Sequence, residues 1–214
     1  MKITDTEITG FVLAGGKSKR FGGDKSRAVF CGKLLVARAA ETLRTLCSKV
    51  YISGYSNLDG LEELSFKDVY PLPDRNDLLL PGDNKASLIG LTSALLFCQT
   101  AYAAILAVDL PFVTGRVFEI LFEEIGSFSA SIPKDSEGRI QPLSAIYAVN
   151  DFRKTFLDSI RSNQLAIHRI VHEKNVKKVS FEKFRKSGCS KYTFFNINTK
   201  SDLELAEKLS KDQA

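Results

Sequence analysis

The sequence predicts an α/β fold in which a mainly parallel sheet carries helices on both faces. Two observations predict it. Up to residue 130, short continuous apolar runs alternate with segments of helical apolar spacing, the pattern of strand–helix–strand units. Two of those runs also stop at residues suited to binding: Leu13 is followed by Ala14-Gly15-Gly16, and Val108 by Asp109. Ligands of open parallel sheets sit at the carboxyl ends of the strands, so chemistry is expected just beyond such runs.

Taken in order, residues 7–13 form the first buried strand. Residues 34–46 are helical, with Leu35, Ala39, Leu43 and Leu46 on one stripe. Residues 50–52 and 69–72 are short strands, the second stopped by Pro73. A strong helix starts at Ser87, a candidate N-cap, and runs through Leu88, Leu91, Leu95 and Cys98. Residues 103–108 form a strand and residues 117–125 a helix.

Beyond residue 130 the pattern becomes richer in strands. Residues 130–133 and 140–149 are expected strands around a Glu137-Gly138 turn. Residues 150–173 are helical in tendency, and residues 176–181 and 194–197 are further short strands. Ser201 and Glu204 fit a capping box that opens a final helix. Without a Pro/Ser linker, low-complexity tract or repeat, residues 1–214 are expected to form one domain with a C-terminal β-rich elaboration.

Composition narrows the function. A hydrophobic share of 44% and a charged share of 26% suit an ordinary globular protein with a sizeable core. No run of eighteen apolar residues offers a membrane span, and the polar, acidic N-terminus lacks the regions of a signal peptide, so a cytoplasmic protein is expected. Cys31, Cys47, Cys98 and Cys189 are scattered and form no CxxC pair, so reduced packing thiols are expected. The net charge of +5 suits an anionic ligand. Lys177, Lys178, Lys183, Arg185, Lys186 and Lys191 crowd the C-terminal part, as a solvated face or as a rim for a phosphorylated substrate. No recognition helix or interleaved aromatic pattern supports nucleic-acid binding. His168 and His172 have the i, i+4 spacing of a metal pair, but no glutamate follows the first and no third ligand suggests itself, so a surface pair is expected.

Three segments carry the chemistry. The first is Leu13-Ala14-Gly15-Gly16-Lys17-Ser18-Lys19-Arg20-Phe21-Gly22-Gly23-Asp24-Lys25. Adjacent glycines let the backbone turn sharply and offer bare N–H groups to a phosphate. Arg20 and Lys25 can neutralise a triphosphate, one as a planar fork and the other as a point charge. The segment is neither a Walker A loop nor G-x-G-x-x-G, which disfavours a dinucleotide site. The second is Ala107-Val108-Asp109-Leu110-Pro111-Phe112. An aspartate ending a buried strand is costly unless it is paired or binds a cation, and Mg²⁺ commonly takes one or two carboxylates plus phosphate oxygens and water. The third is Phe194-Phe195-Asn196-Ile197-Asn198-Thr199-Lys200-Ser201-Asp202-Leu203.

Together these segments resemble the molybdenum cofactor guanylyltransferases, within the nucleotidyltransferase superfamily. LAGG-x-x-x-RFGG-DK resembles the family's N-terminal signature, Val108-Asp109-Leu110-Pro111-Phe112 its metal segment, and Phe194 to Leu203 its closing segment. The resemblance implies a Rossmann-like fold of the nucleotide-diphospho-sugar transferase type, with residues 1–130 as the NTP-binding half and 131–214 as the acceptor-binding half. It implies transfer of GMP from GTP to the terminal phosphate of molybdopterin carrying molybdenum, with Mg²⁺ as cofactor and pyrophosphate as product. The implied partners are cofactor-synthesis proteins and target molybdoenzymes, met transiently.

The implied roles fall on numbered residues. Arg20, Lys25 and Asp109 are catalytic, and Asp109 holds the metal. Leu13, Ala14, Gly15, Gly16, Lys25, Ser53, Asp74 and Asp109 bind nucleotide, and Gly90, Asn196 and Asn198 lie on the acceptor side. Gln141-Pro142-Leu143-x-Ala145-x-Tyr147 is similar to the family's acceptor-side strand. Ser53 stands where the family often has Asn, and Ala86-Ser87 where it has Gly-Pro, so the residues leave the base open. The alternatives are a sibling cytidylyl- or sugar-phosphate nucleotidyltransferase, and a non-catalytic nucleotide-binding protein on the same fold.

Overall fold

The structure is a computed structural model that describes residues 8–15, 20–59, 61, 64, 67–73, 75–78 and 87–212. Its strands are β1 (Ile8–Leu13), β2 (Val29–Phe30), β3 (Lys33–Leu34), β4 (Val50–Ser53), β5 (Val69–Leu72), β6 (Tyr102–Ala107), β7 (Ala130–Pro133), β8 (Ser144–Ala148) and β9 (Val176–Val179). Its α-helices are α1 (Leu35–Arg44), α2 (Ser87–Phe97), α3 (Gly115–Ile125), α4 (Val149–Arg161), α5 (Ile167–His172), α6 (Phe181–Lys186) and α7 (Lys200–Lys211).

Seven strands make one sheet in the order β5-β4-β1-β6-β8-β7-β9, and β2 and β3 form a separate ribbon. Within the sheet only β8 runs against the others: it pairs antiparallel with β6 and with β7, while the β1–β4, β1–β6, β4–β5 and β7–β9 pairs are parallel. The register aligns the carboxyl ends, with Leu13 opposite both Ser53 and Ala107, and Ser53 opposite Leu72. That aligned edge is where the site forms.

Both faces of the sheet are covered, as a mainly parallel sheet requires. Strand alternation sends Ile8 and Val12 of β1 to one face, against Val36, Ala40 and Leu43 of α1 and Val117, Phe118 and Leu121 of α3. Phe11 and Leu13 go to the other, against Leu88, Leu91 and Leu95 of α2 and Phe152 and Phe156 of α4. The Tyr147 ring packs edge-on against Phe152 and Phe156, and its hydroxyl donates to Pro142 O at 2.7 Å. A third cluster of Phe21, Phe30, Leu35, Ile197 and Ala206 fastens the segment before Lys25 to α7.

Several elements differ from expectation. Residues 194–197 are not a strand. Turns close that backbone locally, through Thr193 N to Ser190 O and Phe195 N to Tyr192 O, while Phe194 and Ile197 bury in two different clusters. The last helix opens two residues earlier than expected: Thr199 accepts from Asp202 N at 3.1 Å, and Asp202 accepts from Thr199 N at 2.7 Å. The same capping pattern occurs at Thr199-x-x-Asp202 as at Ser201-x-x-Glu204, and the earlier one closes the box. The helical stretch 150–173 divides at Asn163, whose φ of 58° cannot continue a helix. Phe181 begins α6, because Ser180 caps Lys183 N. The strand expected over 140–149 shortens to β8, leaving Gln141-Pro142-Leu143 in the preceding turn.

All four cysteines are free thiols. Among the described residues no helix is long and apolar enough to cross a membrane.

Candidate active site

β6 delivers Asp109 to the carboxyl edge. Val108 N donates to Leu13 O, which extends the β1–β6 ladder by one step, and Ile197 N donates to Asp109 O at 2.9 Å. The Asp109 backbone is therefore held by both the central strand and the segment before α7. Its side chain, 25% exposed, accepts from Lys25 Nζ at 3.1 Å. Lys25 is 11% exposed and also donates to Asn198 Oδ1 at 3.4 Å. A carboxylate can only accept, so the Asn196 amide turns its nitrogen to Asp109, 3.2 Å from each oxygen. Lys25, Asp109, Asn196 and Asn198 thus meet at one point.

Lys25 is placed by a small lock. It starts a 3₁₀ turn, Lys25–Arg27, whose N-cap Asp24 accepts from Ser26 N at 3.0 Å and from Ser26 Oγ at 2.5 Å. Tyr55, just beyond β4, donates to Asp24 Oδ2 at 3.1 Å, and its hydroxyl also lies 2.5 Å from the buried Ser26 Oγ. Burial raises the Tyr55 pKa above its ordinary value, and the Asp24 charge adds to the rise. Ser26 and Tyr55 were not among the expected site residues. The Asp-x-Ser spacing is a recognisable Asx-turn signal, but the tyrosine comes from a separate segment.

Asn198 is fixed from the other side. Asp202 Oδ2 accepts from Asn198 N at 2.8 Å as well as from Thr199 N. The Asn198 amide is the first cause that lowers the Asp202 pKa below the usual carboxylate range.

Leu13, Ala14, Gly15 and Ser53 lie together along the β1–β4 edge, where Ala14 N donates to Ser53 O at 3.3 Å. Gly54 stacks directly on Gly15: a Cβ at Gly54 would stand 2.9 Å from Gly15 Cα. Gly90 of α2 joins this group rather than the Asn196–Asn198 group, since a Cβ there would lie 3.8 Å from Ser53 Oγ and 3.9 Å from Leu13 Cδ2. Arg20 is exposed, and the structure does not bring it into the Lys25–Asp109 cluster. Gly16 and Asp74 lie outside the described residues.

Two clefts open at this cluster, one lined by Asp109 and the other by Asn198, and share a wall formed by Gln141 and Asn196. One, of about 440 Å³, runs from Ser87 and Asp109 past Pro142 and Leu143 to His168. The other, of about 450 Å³, runs from Asn198 across Tyr192 and Phe195 to Asp135 and Arg139. The basic C-terminal residues divide accordingly. Lys177 and Lys183 are both held by Glu124, at 3.0 and 2.8 Å, whereas Lys191 lies over the Tyr192 ring and lines the second cleft. His168 and His172 are exposed, and among the described residues no three acidic, histidine or cysteine side chains converge as a metal cage.

This arrangement suits phosphate chemistry. Glycine-lined backbone, a shielded lysine and a cleft-facing carboxylate lie at the carboxyl edge, where charge on a bound polyphosphate can be countered and an acceptor oriented.

Comparison with known proteins agrees with the geometry. Residues 10–176 match the profile of the MobA-like NTP transferase domain. The chain is 28% identical over 204 residues to a molybdenum cofactor guanylyltransferase of Desulfosudis oleivorans, covering 94% of each chain. Among solved structures it is similar to molybdopterin-guanine dinucleotide biosynthesis protein A of Archaeoglobus fulgidus, with a TM-score of 0.73 at 27% identity, covering 95% of this chain and 99% of that one. The 4-diphosphocytidyl-2C-methyl-D-erythritol synthase of Anaerococcus prevotii shares the fold, with a TM-score of 0.70 at 10% identity over 97% of this chain and all of that one (100%).

Proposed function

The chain belongs to the MobA-like NTP transferase family and is a nucleotidyltransferase; from that premise we propose that it transfers GMP from GTP to the terminal phosphate of molybdopterin carrying molybdenum, releasing pyrophosphate. The observation that carries this reading is the meeting of Lys25, Asp109, Asn196 and Asn198 at the carboxyl edge of the sheet, beside the loop after β1. In this reading residues 1–130 bind the nucleotide, residues 131–214 receive the acceptor, and the reaction takes place in the cytoplasm.

An oxygen of the acceptor phosphate attacks the α-phosphorus of the NTP in line. The bond from that phosphorus to the bridging oxygen breaks, and pyrophosphate leaves with the electron pair. No covalent enzyme intermediate is needed, so catalysis is positioning plus charge stabilisation. Amides of Gly15 and Gly16 hold the triphosphate. Lys25, locked by Asp24, Ser26 and Tyr55, counters charge that builds on the leaving group, and Arg20 closes on it from the exposed side. Leu13, Ser53 and Gly90 serve the nucleoside side, Asp74 keeps the nucleotide-binding role that the resemblance implies, and Asn196 and Asn198 orient the acceptor.

The residues fit Mg²⁺ as the metal. Asp109 is a hard oxygen donor open to the cleft, and among the described residues no all-protein cage competes with it. That donor set matches an ion that keeps water and takes one carboxylate together with substrate phosphates. When bound, Mg²⁺ neutralises charge on the reacting phosphates.

The test is calorimetric titration with GTP, CTP, ATP and UTP in the presence of Mg²⁺, followed by transfer to molybdopterin. GTP preference that Asp109→Asn abolishes supports the proposal. A preference for CTP would keep the chemistry and assign the protein to a cytidylyl sibling, a choice that the departure at Ser53 leaves open. Failure to bind any NTP would leave a non-catalytic protein on this fold.

A further inference from the structure

Asp135 is 6% exposed and has no part in the phosphate chemistry. Burying a charge costs free energy unless hydrogen bonds replace the lost water. Here Oδ1 accepts from Glu137 N and Arg139 N, both at 2.9 Å, and Oδ2 accepts from Arg139 Nε at 2.9 Å and Gln141 Nε2 at 3.0 Å. Burial alone raises its pKa, yet the Arg139 side chain and the two backbone amides outweigh that and hold it below the usual carboxylate range. The carboxylate closes the turn between β7 and β8, and one of its four donors is a side chain that reaches the clefts.

That side chain is Gln141. Its backbone is pinned by Gln141 N to Pro133 O at 2.9 Å and by Ser144 N to Gln141 O at 3.0 Å. Because Asp135 can only accept, the amide nitrogen must face it and the oxygen must face away. Gln141 Oε1 has no partner among the described residues, and Gln141 lines both clefts. The same logic applies to Asn196, whose nitrogen faces Asp109 and which lines the same two clefts. Two carboxamides, each oriented by a carboxylate, therefore form the wall that the two clefts share.

We propose that Gln141, oriented by Asp135, is a specificity-determining residue that accepts a hydrogen bond from an N–H or O–H group on the body of the acceptor. The proposal rests on the nucleotidyl-transfer reading above. Asp135 is a positioning residue, since it acts through Gln141 and does not touch the acceptor. An acceptor whose matching edge carries only lone pairs is rejected, because both acceptor atoms would lose water without gaining a bond.

Two measurements test this on the full-length protein. The first is the KM for molybdopterin and for GTP in wild type, Gln141→Leu, Asp135→Asn and the double variant. Gln141→Leu raises the molybdopterin KM roughly tenfold, the worth of one hydrogen bond near the top of the usual range, and leaves the GTP KM unmoved. Asp135→Asn turns an NH₂ toward Gln141, flips its amide and raises the same KM. In the double variant that second rise disappears, because the group it acted through is gone. Equal molybdopterin KM in Gln141→Leu and wild type, or additive effects in the double variant, would overturn the proposal. The second measurement needs no acceptor. The side-chain NH₂ pair that vanishes from the ¹⁵N–¹H spectrum in Gln141→Leu exchanges slowly with solvent in the wild type and fast in Asp135→Asn. Fast exchange in the wild type would overturn the orientation. If wild-type protein fails to use molybdopterin while this pair exchanges slowly, the proposed acceptor falls and the orientation of Gln141 stands.

Discussion

Lys25 and Asp109 lie 84 positions apart in the chain and 3.1 Å apart in space. Lys25 opens a 3₁₀ turn and Asp109 follows the end of β6, and each has a second contact with the segment before α7 through Asn198 or Asn196. Through those two asparagines the pair fastens the segment before α7 to the carboxyl edge of the sheet.

Removing either charge should show in turnover more than in stability. Asp109→Asn is expected to lower turnover about a hundredfold or more, the scale seen when one charge-stabilising group is deleted from an active site. Lys25→Ala should lose most turnover, and Lys25→Arg should recover part of it, because the fork keeps the charge but not the point geometry. Steady-state release of pyrophosphate reads both. Full activity in Asp109→Asn would remove the metal assignment.

Gly54 and Gly90 should respond in opposite ways to the same added methyl. At Gly54 the backbone has φ +94° and a Cβ would press on Gly15 at 2.9 Å, so Gly54→Ala should destabilise by about 1–3 kcal/mol and weaken NTP binding. Gly90 sits inside α2 with only ordinary contacts around a new Cβ, so Gly90→Ala should gain about 0.5–1 kcal/mol of stability. Its new methyl points at Ser53 and Leu13, so the KM for NTP should rise even as the protein becomes more stable. Thermal melts beside NTP titrations separate the two effects.

Acid should weaken the turn between β7 and β8. The Asp135 pKa is lowered in the fold, so its contribution to stability is full above the ordinary aspartate value of about 3.9 and is lost as pH falls through the lower folded value. Asparagine cannot titrate. The melting-temperature gap between wild type and Asp135→Asn should therefore be widest near neutrality and narrow below about pH 4. A gap that stays constant with pH would deny Asp135 its charged role.

Asp202 links helix stability to the site. Thr199→Ala breaks one arm of the capping box and should cost about 1 kcal/mol. Asp202→Ala breaks the other arm and also releases Asn198 N, so it should reduce turnover as well as stability. Comparable turnover in the two variants would mean that Asn198 is held by other contacts.

Much of the fold was legible because its signals are local. The apolar run ending at Ala14-Gly15 and the one ending at Asp109 mark strands β1 and β6 within a residue or two. The glycine-rich turn and Asp109 could be paired in advance because parallel strands align their carboxyl ends. The closing segment was harder. Phe194 to Ile197 has the composition of a strand, but its two buried side chains, Phe194 and Ile197, join different clusters around local turns, and periodicity cannot see that. The choice between Thr199 and Ser201 as cap also needed the backbone. Asp135 could not be recognised as buried, because an aspartate beside Glu137-Gly138 reads as an ordinary exposed turn residue. Tyr55 and Ser26 meet only when β1 and β4 lie side by side.

The single reversed strand has a further consequence. Because β8 runs opposite to β6, it begins where β6 ends, with Ser144 opposite Leu106 and Ala107 N bonded to Leu143 O. The connection from β7 therefore turns at the same edge as the phosphate machinery instead of at the far end of the sheet. Its base is tied to the sheet through Lys134 N to Val179 O and Ala107 N to Leu143 O, and between those points it is closed by its own bonds, chiefly those to the buried Asp135. Under the proposed function, acceptor recognition then rests on a turn that closes on itself, apart from the parallel strands that carry Leu13 and Asp109 to the same edge.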